Sequence, residues 1–206
     1  LTASSIEALA RDAVEEFWDK VSTSSLKLNI KSITTTSLSG DTLTSAVNKT
    51  PTNSIIIGCN QNATLFTSNT ILAVGGMGCA GTSCAGAVII NDIAGTNMAS
   101  VDRQTLISTI AHELGHAFGL GHTSVKSALM YYDSTGVVNK ALHQDDIDGV
   151  TYLYPNEKKI SGLAGACGSV DMDNSDKGNF FISQLVGLLL ILSISYLFKR
   201  KPNVIN

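Results

Sequence analysis

Between Ser4 and Val21 the apolar residues fall at Ile6, Leu9, Ala10, Ala13, Val14, Phe17 and Trp18. That spacing follows the 3.6-residue period and predicts an amphipathic helix, with Ser4 or Ser5 as N-cap and Glu7 close behind. Leu26, Leu28, Ile30 and Ile33 then alternate with polar residues, with one slip, which predicts a half-buried strand. "TNSIIIGC" ends in a continuous β-branched run and reads as a buried strand. "NTILAVGG" and "GAVIIND" read as two more, separated by the glycine- and cysteine-rich "MGCAGTSCA". Helical spacing returns in "ASVDRQTLISTIAHELGHAFG", with Leu106, Ile107, Ile110, Ala111 and Leu114 on one face. Ser100 offers a cap there, Asp102 falls in the first turn where the helix dipole favours an acid, and Gly119 and Gly121 end the pattern. "HQDDIDGVTYLYP" predicts a last helix, with an acidic first turn and Pro155 as its stop. No internal repeat interrupts this order.

The pattern divides the chain. Residues 1–155 carry the predicted elements and form one domain; 156–179 turn to Gly, Ser, Asp and Lys and read as a polar linker. Phe180 to Phe198 is a 19-residue run without a charge. As a helix it would extend about 28 Å, close to the hydrocarbon thickness of a bilayer, and predicts a transmembrane helix. A buried core helix is the alternative, but core helices seldom run so long with apolar residues on every side. Lys199, Arg200 and Lys201 follow the run, while Asp171, Asp173 and Asp176 precede it. The positive-inside rule therefore makes 199–206 a basic cytoplasmic tail and the domain a membrane-anchored, extracytoplasmic one, expected as a monomeric ectodomain. The chain opens at Leu1 without a basic-then-apolar leader, as a processed or truncated chain would.

Composition changes this picture little. A net charge of −3 and the lack of a Lys/Arg cluster on any predicted helix face argue against a nucleic-acid partner. The four cysteines, Cys59, Cys79, Cys84 and Cys167, suit an oxidising compartment and permit three pairings; Cys79 and Cys84 flank a short loop and could close it. Cys167 has a second reading. Followed by a polar spacer, an apolar run and a basic end, it resembles the processing or anchoring point of a bacterial C-terminal sorting tail, from which the domain would be released or surface-sorted. A permanent anchor is the simpler alternative.

Three of the four histidines fall within "HELGHAFGLGH", residues 112–122. His112 and His116 lie four apart, so on a helix both face the same way and can reach one Zn²⁺. Glu113 projects beside that position, where it can hold and deprotonate a water. Gly119 can take a positive φ and turn the chain, which would bring His122 back as a third ligand. Histidines satisfied on an ordinary helix are the bland alternative. With Gly119 and His122 at fixed spacing, chance accounts for such a match on the order of 10⁻⁵ per chain.

His112-Glu113-x-x-His116-x-x-Gly119-x-x-His122 resembles the metzincin zinc signature. Met130, eight residues on in "SALMYY", matches the Met-turn that this family places beneath the metal. The flanking "ALMY" and "DDIDGVTYLYP" are most similar to matrixin (matrix-metalloprotease-like) catalytic domains, densely over Arg103–Pro155 and thinly before. The resemblance implies an α+β metzincin-like zincin domain: a twisted, mostly parallel sheet with an edge antiparallel strand, an active-site helix, a Met-turn and a C-terminal helix. It makes His112, His116 and His122 ligands of one catalytic Zn²⁺ and Glu113 the general base. Asp145 and Asp146 match the paired aspartates that tie the family's last helix to the Met-turn; two acids favoured at a helix N-terminus explain them nearly as well. Tyr132 stands where some metzincins keep a tyrosine that reaches the metal, a candidate fifth ligand or oxyanion stabiliser. The matrixin proline after "MY" is absent. A second histidine-built zinc site is excluded by count, since only His143 remains. Ca²⁺ has no sequence support, because Asp92 and Asp133 are isolated and no EF-type loop exists.

The function this implies is zinc-dependent endopeptidase activity on extracytoplasmic protein or peptide substrates. An extended substrate would add to a sheet edge, which "NTILAVGG" is expected to supply unless it lies inside the sheet. The competing class is a catalytically inactive, membrane-tethered metzincin-fold binding protein; retention of Glu113 argues against it.

Overall fold

The computed structural model describes residues 1–95, 100–133 and 138–157. The expected linker beyond 157, the Phe180–Phe198 helix, the basic tail and Cys167 lie outside them. Among the described residues no helix is long and apolar enough to cross a membrane.

Helix α1 spans Ala3–Glu16 and continues through a 3-10 turn at Trp18–Lys20. Its cap is Thr2, two or three residues earlier than the expected Ser4 or Ser5. The Thr2 hydroxyl accepts from the Ser5 N–H at 3.2 Å, and the Ser5 hydroxyl accepts from the Thr2 N–H at 2.9 Å. Two orphan donors are thus satisfied reciprocally. Helix α2, Leu43–Lys49, has no counterpart in the hydrophobic pattern. Seven residues give too few turns for a period to show, and a Thr42–Ser45 capping box is the signal that would have located it. Strands β1 (Ile55–Asn60), β2 (Ala73–Ala80) and β3 (Ser83–Asn91) form one sheet in the order β1-β3-β2. Helix α3 spans Arg103–Ala117 and α4 spans Gln144–Leu153. The cap of α3 is Asp102 rather than Ser100: its carboxylate accepts from the Thr105 N–H at 3.1 Å and from the Thr105 hydroxyl at 2.6 Å.

β1 and β3 are parallel, and β2 runs antiparallel to β3 at the edge. The antiparallel edge strand is as expected, but the sheet is mixed rather than mostly parallel. The difference lies in the Leu26–Ile33 segment, which forms no ladder. Leu26, Leu28 and Ile30 pack partly buried against the main core, so the alternation is real. Alternation reports which side chains are buried, not whether the backbone finds a partner. Strands β2 and β3 also run further into the glycine-rich stretch than expected, meeting at Gly81–Thr82 with Gly81 at φ +63°. Cys79 and Cys84 face each other directly in this hairpin and carry a disulfide.

α1 and α3 pack on one face of the sheet and α2 on the other, each with its own buried cluster. α3 lies so close that a Cβ at Gly75 would stand 2.2 Å from the Glu113 carbonyl oxygen, and one at Gly86 2.1 Å from that of Ala117. Only glycine fits at these two points. The Trp18 indole N–H donates to the Ala111 carbonyl at 3.0 Å, and its ring meets Phe118 edge-on at 4.7 Å. The end of α4 is tied back to the start of the chain by Ser25 N–H to Tyr154 C=O at 2.8 Å and Asn156 N–H to Thr23 C=O at 2.9 Å.

Candidate metal centre

α3 carries His112 and His116 one turn apart on the same face. After Ala117 the chain leaves the helix at Gly119, whose φ of +110° is a conformation that side chains resist. The Gly119 N–H bonds the His116 carbonyl and the Leu120 N–H bonds that of Gly115, at 3.1 and 2.8 Å. This turn satisfies the last helical carbonyls and sends His122 back across the helix face. The three Nε2 atoms then stand 3.1 Å (112 to 116), 3.1 Å (116 to 122) and 3.3 Å (112 to 122) apart.

A tetrahedral Zn²⁺ with bonds of about 2.0–2.1 Å needs nitrogens about 3.3–3.4 Å apart, and the trio meets this to within a few tenths of an ångström. The ring orientations agree. His112 Nδ1 lies 2.6 Å from the Leu129 carbonyl and His116 Nδ1 2.8 Å from that of Leu120. Those carbonyls can only accept, so each Nδ1 carries the proton and each Nε2 turns a lone pair toward the centre. Burial pushes the His112 imidazole down to about 4, against the Leu129 carbonyl and helped by its two neighbours; burial lowers His116 as well. Neutral imidazoles are the ligand form of histidine. His112 is buried, His116 half-buried and His122 exposed, so the centre opens on the His122 side.

Glu113 lies under β2. Burial pushes its carboxyl up to about 8, while a hydrogen bond from the Gly75 N–H acts in the opposite direction. The structure thus places an unusually basic carboxyl at the sheet edge, next in sequence to a metal ligand.

Met130 is buried and seated against α3: a Cβ at Gly115 would stand 2.4 Å from its sulfur. The turn that carries it is held by one carboxylate. Asp146 accepts from the N–H groups of Leu129 at 2.8 Å, Met130 at 3.0 Å and His143 at 2.9 Å. The Leu129 carbonyl of that turn orients His112, so Asp146 reaches the centre through two bonds. Asp145 does not share this role. It is exposed, and its own N–H donates to the His143 ring at 3.1 Å. Successive helix residues point about 100° apart, so only one of the two can face the turn. Tyr132 is 64% exposed, and the partner described for its ring is Tyr131, 4.5 Å away, rather than any of the three histidines.

Sequence reasoning missed Gly75, Gly86, Gly115 and the two orienting carbonyls. A glycine inside a strand hints at close approach of another backbone but does not say which one. The carbonyls carry no residue signature at all.

The matrixin family model matches residues 15–155. Metalloendoproteinase 1-MMP of Arabidopsis thaliana is 35% identical over 114 residues, 51% of this chain and 30% of that protein. Karilysin of Tannerella forsythia is 44% identical over 62 residues, 30% of this chain and 13% of its own length. Matrix metalloproteinase-9 of Canis lupus familiaris is 46% identical over 50 residues, 24% of this chain and 7% of its own. The chain thus spans less than a third of each of these relatives.

Proposed function

The chain belongs to the matrixin family, and from that membership we propose that it is a zinc-dependent endopeptidase acting on extracytoplasmic proteins. The observation that carries this reading is the spacing of the three Nε2 atoms next to a half-buried, basic Glu113. His112, His116 and His122 would hold one Zn²⁺, which when bound polarises a carbonyl and acidifies a water. Glu113 would accept a proton from a water held there and pass it to the departing amine. A basicity near neutral pH suits both halves of this exchange. A cation held by the adjacent histidines would lower that pKa and favour the carboxylate form of Glu113.

Among the described residues β2 offers the substrate an unpaired edge beside Glu113. A peptide laid antiparallel along it gains main-chain hydrogen bonds that fix its register, with its carbonyl side facing the three histidines. Replacing Glu113 with Ala should abolish about 10²–10⁴ of the hydrolysis rate while leaving the zinc content at one per chain. Undiminished hydrolysis in that variant would overturn the assignment of the base, and hydrolysis indifferent to a strong chelator would overturn the metal.

The same proposal includes the anchor. Phe180–Phe198 would hold the domain on the extracytoplasmic face, with processing near Cys167 as the route to release. Carbonate-resistant membrane association, together with digestion of the domain by protease added outside intact cells, is the expected result. A freely soluble full-length chain would refute it.

A further inference from the structure

The sheet has a second edge, on the side away from β2. Among the described residues β1 pairs with β3 alone, and β3 separates it from β2. The Ser54 and Asn60 carbonyls accept from the Gly86 and Asp92 N–H groups at 3.0 and 2.9 Å, so both point toward β3. Bonding direction alternates along a strand, and Ile56 and Gly58 face β3 as well. Ile55, Ile57 and Cys59 therefore turn their N–H and C=O groups outward, at intervals of about 6.6 Å. Among the described residues no strand or isolated bridge meets them.

That edge borders a cleft of about 630 Å³, a volume typical of ligand sites. Ile55, Ile57 and Cys59 all line it, together with apolar residues that include Val14, Leu28, Ile30 and Phe118. Lys27 and Lys31 line it too. Both are exposed, and neither has an ion pair among the described residues. Glu7, the one acid on the lining, is already held by Arg11 at 3.0 Å. The cleft thus combines an apolar lining, uncompensated positive charge and a row of outward main-chain groups. An aliphatic anion would meet the first two but leave the N–H and C=O groups of β1 without partners. An extended peptide meets all three, because its own main chain completes the ladder.

We propose that this cleft is an exosite, where a partner protein docks an extended segment of alternating apolar and acidic residues as an added strand on β1. Ile55, Ile57 and Cys59 set its register, and Lys27 and Lys31 select its acids. The inference does not depend on the endopeptidase reading, since the docking edge and the metal centre lie on opposite sides of β3.

The test uses the full chain and the peptide Val-Asp-Val-Thr-Val-Asp-Val-Thr, with Cys59 reporting occupancy of the cleft. Bound peptide should slow alkylation of Cys59, read by mass spectrometry, about tenfold at saturation. A version with Lys in place of both Asp residues should bind about tenfold more weakly. The double variant Lys27→Glu, Lys31→Glu should invert that preference, which a merely misfolded chain would not do. N-methylation of one alternate set of peptide amides should weaken binding about tenfold or more, and N-methylation of the other set should leave it within about twofold. Failure of the peptide to protect Cys59, a preference that survives charge reversal, or indifference to both N-methylated sets would overturn the exosite. Protection by dodecanoate but not by the peptide would overturn it in favour of an aliphatic anion.

Discussion

The two faces of the sheet are built by different rules. On the face that carries the metal centre, glycine meets backbone: Gly75 against the Glu113 carbonyl and Gly86 against that of Ala117. On the opposite face, glycine meets the ends of side chains: a Cβ at Gly76 would stand 2.9 Å from Leu43 and one at Gly78 3.0 Å from Val47. A helix carbonyl cannot rotate away, whereas a leucine or valine terminus can change rotamer. The active face thus has one arrangement that fits, and the other has several. This difference suits a centre whose nitrogens must be placed to a few tenths of an ångström.

Removing Asp146 should expose the difference most strongly. Asp146→Ala leaves three N–H groups of the Met-turn and α4 without their acceptor and should cost about 3–5 kcal/mol, read by thermal or denaturant unfolding. Asp145→Ala, one residue away and exposed, should stay within about 0.5 kcal/mol. Similar losses in the two variants would mean that the Met-turn is not held from α4.

The glycines compare the faces directly. Gly75→Ala and Gly86→Ala should each cost about 1–3 kcal/mol, because the helix must lift from the sheet. They should also weaken zinc affinity, since α3 carries two of the ligands. Gly76→Ala and Gly78→Ala should change stability by less than about 1 kcal/mol and leave zinc binding alone. If all four behave alike, the contrast between the faces is not real.

The smallest effect lies on the α2 side. Hydrogen bonds from Lys49, and from Ser45 with less weight, hold the Asp41 carboxyl below its ordinary range. A depressed carboxylate stabilises the fold above its unfolded pKa of about 3.9, and this contribution fades as acid protonates the folded form. Lys49→Met should therefore lower the melting temperature at pH 5–7 and converge with the parent below about pH 3. The gap at neutral pH should be about 1 kcal/mol or less, since Lys49 is half exposed and solvent screens the pair. A gap that grows on acidification would contradict the sign.

Much of the centre could be read in the chain because its requirements are local. Histidines one helical turn apart face the same way wherever that helix is packed, and a glycine three residues on can reverse the chain in any setting. His112, Glu113, His116, Gly119 and His122 therefore announced themselves by spacing, and Met130 by its distance from them. α1, α3, α4 and the three strands were legible for the same reason: burial of one face imposes a period. The short helix α2 was not, since seven residues cannot establish one. Nor was the fate of Leu26–Ile33, whose alternation records a buried face but leaves the backbone partner open.

What tertiary structure decided was every question of which of two similar residues does the work. Asp145 and Asp146 are alike in sequence; packing of α4 against the Met-turn gave three N–H groups to one and water to the other. Gly75 and Gly76 are alike too, and the pleat turned one to the helix backbone and its neighbour to a leucine. The edge position of β2 and the carbonyls of Leu120 and Leu129 likewise depend on partners remote in sequence or on backbone atoms common to every residue. Spacing along a chain can specify a local geometry; long-range contacts are settled only when elements pack and compete for the same space.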